Sequence, residues 1–490
     1  LIRLLLLTVF AGGLAVLTCR DWYKSLCGLI LLMAVVEHPD MPKSIFGIQG
    51  LNPWNILLVV VIFGWAISRS REDLRWDLPG PVTLALAAYV LVILIGMGRM
   101  LADMDNFIDM AAAVGAEPPS SLSLISEHFI NSLKWIIPGL LLFDGCRSVD
   151  RFHLGLFAVL GVYFLLGIQV IRWMPFETAL SGEDLTDRSL KILLNEVGYH
   201  RVNLSMMMAG AMWAVLCSSY LTQQIALKAA LIAGSVIILV AQALTGGRTG
   251  YGTWAVVGLF LGVFRFRKYV LLIPLAAILV SAYAPGVYER MIQGFSQETQ
   301  GSEEQLDVAQ AMEEGPDLYR VTAGRNIAWP YIIEKIEEDP FVGYGRLAMN
   351  RTGISWYLWS QYGENFPHPH NAYLELVLDN GVIGAIPVLL FYLVIIKYSL
   401  SLFMDTQNRL FVATGGATLA LVGALLIASI GSQTFYPREG AVGMWCMIGL
   451  MLRVSVQRAA AETRLDEGET VHDFSWTRNG QGESSPPAAG

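Results

Sequence analysis

The sequence predicts an all-α polytopic membrane protein: about 12–13 transmembrane helices and one large, partly helical loop on the outer side. Three observations predict it. Residues of the set AVILMFWYC make up 54% of the 490-residue chain and DEKR only 15%, with a mean hydropathy of +0.51. A soluble domain carries about 25% charged residues, so a soluble enzyme, a disordered chain and a fibre are excluded. The apolar residues also form long unbroken runs rather than alternating, which excludes a β-barrel. Finally, the charges gather in short segments between those runs. The net charge of −8 mixes two sides of a membrane and decides nothing.

A span needs roughly 20 apolar residues. In chain order the candidates are 1–17, 25–36, 52–68, 79–98, 130–143, 152–173, 202–227, 229–247, 249–264, 269–288, 371–396, 410–437 and 441–452. The first could pass for the apolar core of a signal peptide, but no small-residue cleavage site follows it, and it is read as a span. Orientation follows from the basic loops, which mark the cytoplasmic side. These hold Arg69, Arg71 and Arg75; Arg147 and Arg151; Arg265, Arg267 and Lys268; Lys397 and Arg409; and Arg453 and Arg458. Loops 37–51, 99–128, 174–201, 285–370 and 431–440 then face outward. Loop 99–128 fits this, with Asp103, Asp105, Asp109, Glu117 and Glu127 against Arg99. The five cysteines lie in spans or on the cytoplasmic side without metal-type spacing, so no disulfide is expected.

The expected organisation is N-terminal spans over 1–201, central spans over 202–284, the large loop 285–370, C-terminal spans over 371–453 and a disordered cytoplasmic tail over 454–490. In the large loop, Gln297 to Asp317 is acidic and polar and is expected to be mobile. Ile327, Tyr331, Ile332 and Ile336 recur at helical spacing, predicting an amphipathic helix over Arg325 to Tyr344 that Pro340 closes. Trp356, Tyr357, Trp359, Tyr362 and Phe366 follow. Aromatics at that density beside a membrane are expected to form a lid on the interface.

Three segments carry candidate chemistry. Thr245 to Tyr251 (TGGRTGY) is a glycine turn between two uncharged runs. Arg248 sits there at the start of a helix, whose free N–H groups and dipole favour an anion. The alternative is an arginine that snorkels to mark the interface. Gly324-Arg325 opens the loop helix, where a lone cation is disfavoured unless it faces an anion or a neighbouring acid. At His368-Pro369-His370-Asn371 the loop re-enters the membrane. His370 is expected at the N-cap or first turn of the next helix, where the dipole lowers its pKa and a neutral imidazole can accept a proton. Asn371, Glu375 and Asp379 recur every four residues as a polar stripe. The alternative is a histidine cap above a structural stripe. No metal is assigned, because other ligand residues do not cluster in the outer loops.

These segments resemble the O-antigen ligase and O-antigen polymerase superfamily of bacterial inner-membrane glycosyltransferases. The resemblance rests on Gly247-Arg248-Thr249-Gly250, on Gly324-Arg325 with Trp329, and on Asp339-Pro340-Phe341-Val342-Gly343-Tyr344-Gly345. It rests also on His370-Asn371-Ala372-Tyr373-Leu374-Glu375 with Gly381 and Gly384, and on a polar entry over Gly198 to Asn203. It covers about residues 195–450; the layout of the first 190 is similar to an exosortase- or exopolysaccharide-associated branch. The resemblance implies a glycan donor on undecaprenyl pyrophosphate, met at the periplasmic face of the inner membrane. The acceptor would be a glycan, lipid A core or a protein, with no nucleic acid and no cofactor. Transfer would invert the anomeric centre without a metal. Arg248 and Arg325 would hold the pyrophosphate, and His370 would orient or deprotonate the acceptor hydroxyl. Arg201, Tyr344, Arg346, His368, Asn371, Tyr373 and Glu375 would line the substrate. A ligase, a polymerase joining carrier-linked repeats, and a non-enzymatic transporter of glycolipid or small solute are the three readings. Charge at one membrane face rather than in midplane broken helices disfavours the transporter.

Overall fold

The computed structural model describes residues 2–45, 48–72, 76–113, 120–292, 322, 324–363, 366–406, 408–431 and 433–466. The expected mobile stretch Gln297 to Asp317 lies outside these residues, as do Arg75 and Glu117. The N-terminal part holds α1 (Ile2–Thr18), α2 (Trp22–Leu31), α3 (Pro53–Glu72), α4 (Gly80–Ala102), α5 (Met104–Ala113), α6 (Ile137–Gly145) and α7 (Val149–Trp173). The centre holds α8 (Gly182–Glu196), α9 (Arg201–Ser218), α10 (Ile225–Leu244), α11 (Arg248–Phe264), α12 (Leu272–Tyr283) and α13 (Pro285–Ile292). Then come α14 (Arg325–Glu338), α15 (Ile354–Tyr362), α16 (Ala372–Phe403), α17 (Arg409–Ala428) and α18 (Val442–Asp466). The one described β ladder pairs Ser44–Ile45 with Ile48–Gln49, antiparallel.

The fold is a multi-pass helical membrane protein. Eight described helices are long and apolar enough to cross a membrane: α3, α4, α7, α9, α10, α16, α17 and α18; a bent pair makes nine. The sequence pattern placed 12–13 spans, and the difference has local causes. The run 130–143 contains Pro138 and splits into Asn131–Lys134 and α6. The run 269–288 bends by 118° between α12 and α13. Ala284, which precedes Pro285, leaves the helical region at φ −138°, as a residue before proline is biased to do. The first two apolar runs form helices of only 17 and 10 residues. At the other end α18 continues to Asp466, past residue 454 where the tail was expected to begin.

The helices sort into a core and a shell. The spans built on α9 and α17 are 89% and 78% buried, against 22% for α3 and 28% for α10. Both inner helices are rich in small residues, and these let backbones approach without lipid between them. A Cβ on Gly210 would press on Ala424 and on the Ala420 carbonyl. The shell helices leave Leu84, Leu91, Ile225 and Ile278 on the surface. A surface of this kind suits hydrocarbon rather than water.

The basic loops meet at one end of the bundle. Arg453 forks onto Asp77 at 2.6 and 2.8 Å, Arg147 reaches Asp77 at 3.2 Å, and Arg69 pairs with Asp144. Arg265 donates to the Asp405 carbonyl at 2.6 Å, and Arg458 lies 3.6 Å from the Asp405 carboxylate. The remaining loops meet at the opposite end. There Arg99 donates to the carbonyls of Val342 and Gly343, Arg351 pairs with Asp103, and Gln433 donates to Asn203 at 3.2 Å. The alternation of loops read from the sequence is thus physical, and the candidate chemistry lies at this second end, the loop end.

Helix α16 positions the site. Its 32 residues are interrupted at Gly381, where φ is 61° and ψ −177°. Only glycine occupies this region readily. The segment after Pro340 lies along the break as a clasp. Tyr344 N–H donates to the Leu378 carbonyl at 2.9 Å, and Val382 and Ile383 N–H donate to the Pro340 and Phe341 carbonyls at 2.8 and 3.1 Å. The backbone groups freed by the break are therefore satisfied by the loop. Residues 382–403 remain, about 33 Å of helix, enough for the hydrocarbon layer. The break thus falls near the membrane boundary, and Glu375 and Asp379 lie on its loop side.

Candidate active site

The glycine turn is pinned from several directions. Gly246 adopts φ 66°, Ser205 Oγ donates to the Gly247 carbonyl at 3.0 Å, and Gln242 donates to the Gly250 carbonyl at 2.8 Å. Tyr251 Oη donates back to Ala243 at 2.7 Å. Gly247 is the N-cap of α11 and, among the described residues, makes no side-chain cap hydrogen bond, so the N-terminal end of the helix dipole lies at Arg248. Arg290 Nε donates to the Gly246 carbonyl at 3.3 Å. The bend before Pro285 is what brings Arg290 back over the turn.

Arg248 feels the charges of Arg290 and Arg325. Arg201, the first residue of α9, feels Arg290 and Arg248. Its Nη1 donates to Ser189 at 3.2 Å, and its buried Nε has no hydrogen-bond partner among the described residues. Four guanidinium groups from α9, α11, α13 and α14 thus converge. Burial lowers the pKa of Arg325, as it must when a cation leaves water. Arg325 has no carboxylate partner among the described residues.

The histidines lie beside the arginines. Asn371, not His370, is the N-cap of α16: its Oδ1 accepts from Tyr373 and Leu374 N–H at 3.0 and 3.2 Å. His370 stands just before it in the left-handed region, with φ 52°. The His368 and His370 rings lie 4.1 Å apart. Trp329 of α14 donates its indole N–H to the Pro369 carbonyl at 3.0 Å, fixing the peptide between the two histidines. Burial first, then the charges of His368, Arg325 and His200, push the His370 pKa down to about 3. His368 is lowered too, by burial first. His200 caps α9, its Nδ1 accepting from Val202 N–H at 3.3 Å.

The other residues that the sequence motifs put at the substrate divide from these. Arg346 is 4% exposed; its Nη1 donates to Glu375 at 2.7 Å and to Asp379 at 3.0 Å. Asp379 also accepts from Tyr436 Oη at 2.9 Å, and the guanidinium lies 3.7 Å from the Tyr436 ring centroid. The polar stripe is real, and a buried arginine closes it. Tyr373 Oη donates to the Leu426 carbonyl at 2.9 Å, and Tyr344 Oη to the Lys335 carbonyl at 3.2 Å. Among the described residues, no three His, Cys, Asp or Glu side chains group as metal ligands. Sequence reading did not find His200 and Arg290. His200 adjoins Arg201 in the polar entry to α9. Arg290 carried no signal as long as 269–288 was taken for one straight span.

A multi-pass helical membrane protein with an arginine–histidine site at one end is the class that fold and site define. The O-antigen ligase family model matches residues 233–389, the stretch from α10 through the large loop into α16, so this segment is similar to the O-antigen ligase family. That family is of glycosyltransferase type and implies lipid-linked glycan and acceptor substrates. No curated protein matches the chain.

Proposed function

We propose that the chain is an inverting, metal-independent glycosyltransferase that moves a glycan from undecaprenyl pyrophosphate to an acceptor hydroxyl at the periplasmic face of the inner membrane. The observation that carries this reading is the convergence of Arg201, Arg248, Arg290 and Arg325 at the N-terminus of α11. Four neighbouring cations repel one another, and a pyrophosphate diester with two negative charges removes that cost. Arg248 and Arg325 clamp the pyrophosphate and stabilise charge as the bond from the anomeric carbon to its oxygen breaks. Such a donor contributes ~10²–10³ in rate. The acceptor oxygen attacks the opposite face of the anomeric carbon, which inverts it. His370, held neutral, orients that hydroxyl and takes its proton, a role worth ~10²–10⁴. The donor's negative charge offsets Arg325 and raises the basicity of His370, so the base gains strength once substrate is present. His368 lies beside it. Arg346, Glu375, Asn371, Tyr344 and Tyr373 hold the wall that these groups project from.

A ligase and a polymerase share this chemistry and differ in the acceptor. A deletion strain separates them: polymer retained on the carrier means ligase, and accumulated single repeats mean polymerase. A transporter places charge in midplane broken helices. Here the break in α16 is near the boundary and its backbone is filled by the clasp, which favours chemistry at the surface.

The test is transfer of carrier-linked glycan by protein in nanodiscs. Arg248→Ala should lower turnover by about 10² or more, and Arg248→Lys should rescue only part of it, since an ammonium cannot make paired bonds. EDTA should leave the rate unchanged. Wild-type rates in both variants, or activity lost to EDTA and restored by Mg²⁺, would show that the leaving-group chemistry is assigned wrongly.

A further inference from the structure

At the loop end, helix α5 and the loop line an open cavity of about 540 Å³, within the ordinary range for a small-ligand site. Its walls combine aromatic faces with hydrogen-bonding groups. Trp356 and Tyr357 of α15 are 41% and 39% exposed, and Asp103, Asn106 and Thr352 stand with them around the opening. Neither the Trp356 nor the Asn106 side chain makes a hydrogen bond among the described residues, so an indole N–H and a side-chain amide remain for a ligand. Asp103 binds Arg351 through Oδ2 only, leaving its second carboxylate oxygen without a partner among the described residues.

The walls are also preorganised. Arg351 is buried and donates to the carboxylate of Asp103 and to the carbonyls of Tyr344 and Arg346. It therefore ties the junction of α4 and α5 to the clasp and through Arg346 to Glu375, five residues along from His370. Gly353, at φ 81°, begins α15 where a side chain would approach Met110 across the cavity.

We propose that this cavity is a sugar-binding subsite, which seats one or two units of the glycan and rests on the transferase reading above. A pyranose has two kinds of surface: a face of C–H groups and a rim of paired hydroxyls. The face stacks on an aromatic ring, and neighbouring hydroxyls donate to a carboxylate oxygen and exchange hydrogen bonds with an amide. Trp356 and Tyr357 supply the rings; Asp103 and Asn106 supply the rim. The occupant comes either from the donor glycan or from the acceptor.

The probe is the oligosaccharide released by mild acid from the producing strain's own carrier, titrated into the full-length protein by calorimetry. Wild type and Arg325→Ala should bind it alike. Trp356→Ala and Asn106→Ala should each weaken binding on the order of tenfold, with turnover at saturating substrates kept. Asn106 is exposed, so the second variant keeps the test open should the first fail to fold. In transfer assays the same variants should raise KM for one substrate alone: a donor effect places the donor glycan here, an acceptor effect the acceptor. Unchanged binding in both variants, or no binding by a wild type that transfers, would overturn the subsite. So would a Trp356-dependent fluorescence that brominated phospholipid quenches and glycan does not, because the tryptophan would then belong to the membrane surface. Loss of transfer on its own with glycan binding intact would instead strike the transferase reading.

Discussion

At the scale of single residues, His370 is held where an ordinary histidine would not settle. A non-glycine residue at φ 52° costs about 1–2 kcal/mol, and surrounding contacts must hold it there. The Trp329 bond to the Pro369 carbonyl on one side and the Asn371 cap on the other do so. His368 precedes the proline whose carbonyl Trp329 grips, and it lies two residues further from the capped helix. His370→Ala should therefore lower turnover by about 10² or more with carrier binding kept, and His368→Ala by several-fold at most. A side-by-side transfer assay with carrier-lipid binding on the same preparations checks this. A dead His368→Ala enzyme, or loss of carrier binding in His370→Ala, would reassign the base. Sequence spacing brought both histidines to the site but placed the cap one position early. Which side chain caps depends on backbone dihedrals, and spacing does not encode those.

At the scale of elements, the segment Asp339 to Gly345 changes meaning once its partner is visible. In the sequence it reads as a substrate motif. In the fold it is the clasp on a broken helix, and its glycines follow from contact. A Cβ on Gly343 would come within 2.6 Å of the Leu378 carbonyl oxygen, and one on Gly381 would overlap the Phe341 carbonyl. No pattern within either segment announces the pairing, because the two lie far enough apart in sequence that only tertiary approach creates it. The helix pattern was legible: α14 starts at Arg325 as expected and ends at Glu338, just ahead of Pro340. Gly381→Ala should thus cost about 3 kcal/mol or more, from strain and backbone overlap together. Gly363→Ala is the control. Its φ of 68° and ψ of 4° lie in the milder left-handed region, and no described atom lies within 4 Å, so about 1–2 kcal/mol is expected. Thermal unfolding of both variants in one detergent measures the difference. Equal losses would mean that the clasp does not hold the break.

At the scale of the whole molecule, the charge pattern divides the loops between two ends of the bundle, and packing gives the basic end a second cause. The basic loops were read as charges kept from crossing the membrane. Several of these arginines are also fastened to buried or half-buried carboxylates, Asp77 and Asp144 above all. Hydropathy counts residues and cannot see such pairs, just as it could not see the bend before Pro285. Both the charge rule and the transferase reading require the loop end to face out. Among the five cysteines, Cys19 alone is exposed, and it lies in the turn before Asp21, which pairs with Arg151 at the basic end. In spheroplasts, a membrane-impermeant maleimide should leave Cys19 unlabelled until the membrane is permeabilised. A Trp359→Cys variant, on the exposed face of α15 and outside the sugar cavity, should react at once. The reverse pattern would put the arginine–histidine site in the cytoplasm, where a glycan already flipped to the outer face could not reach it. Labelling therefore tests the orientation and the proposed substrate together, while leaving the internal geometry of the site unaffected.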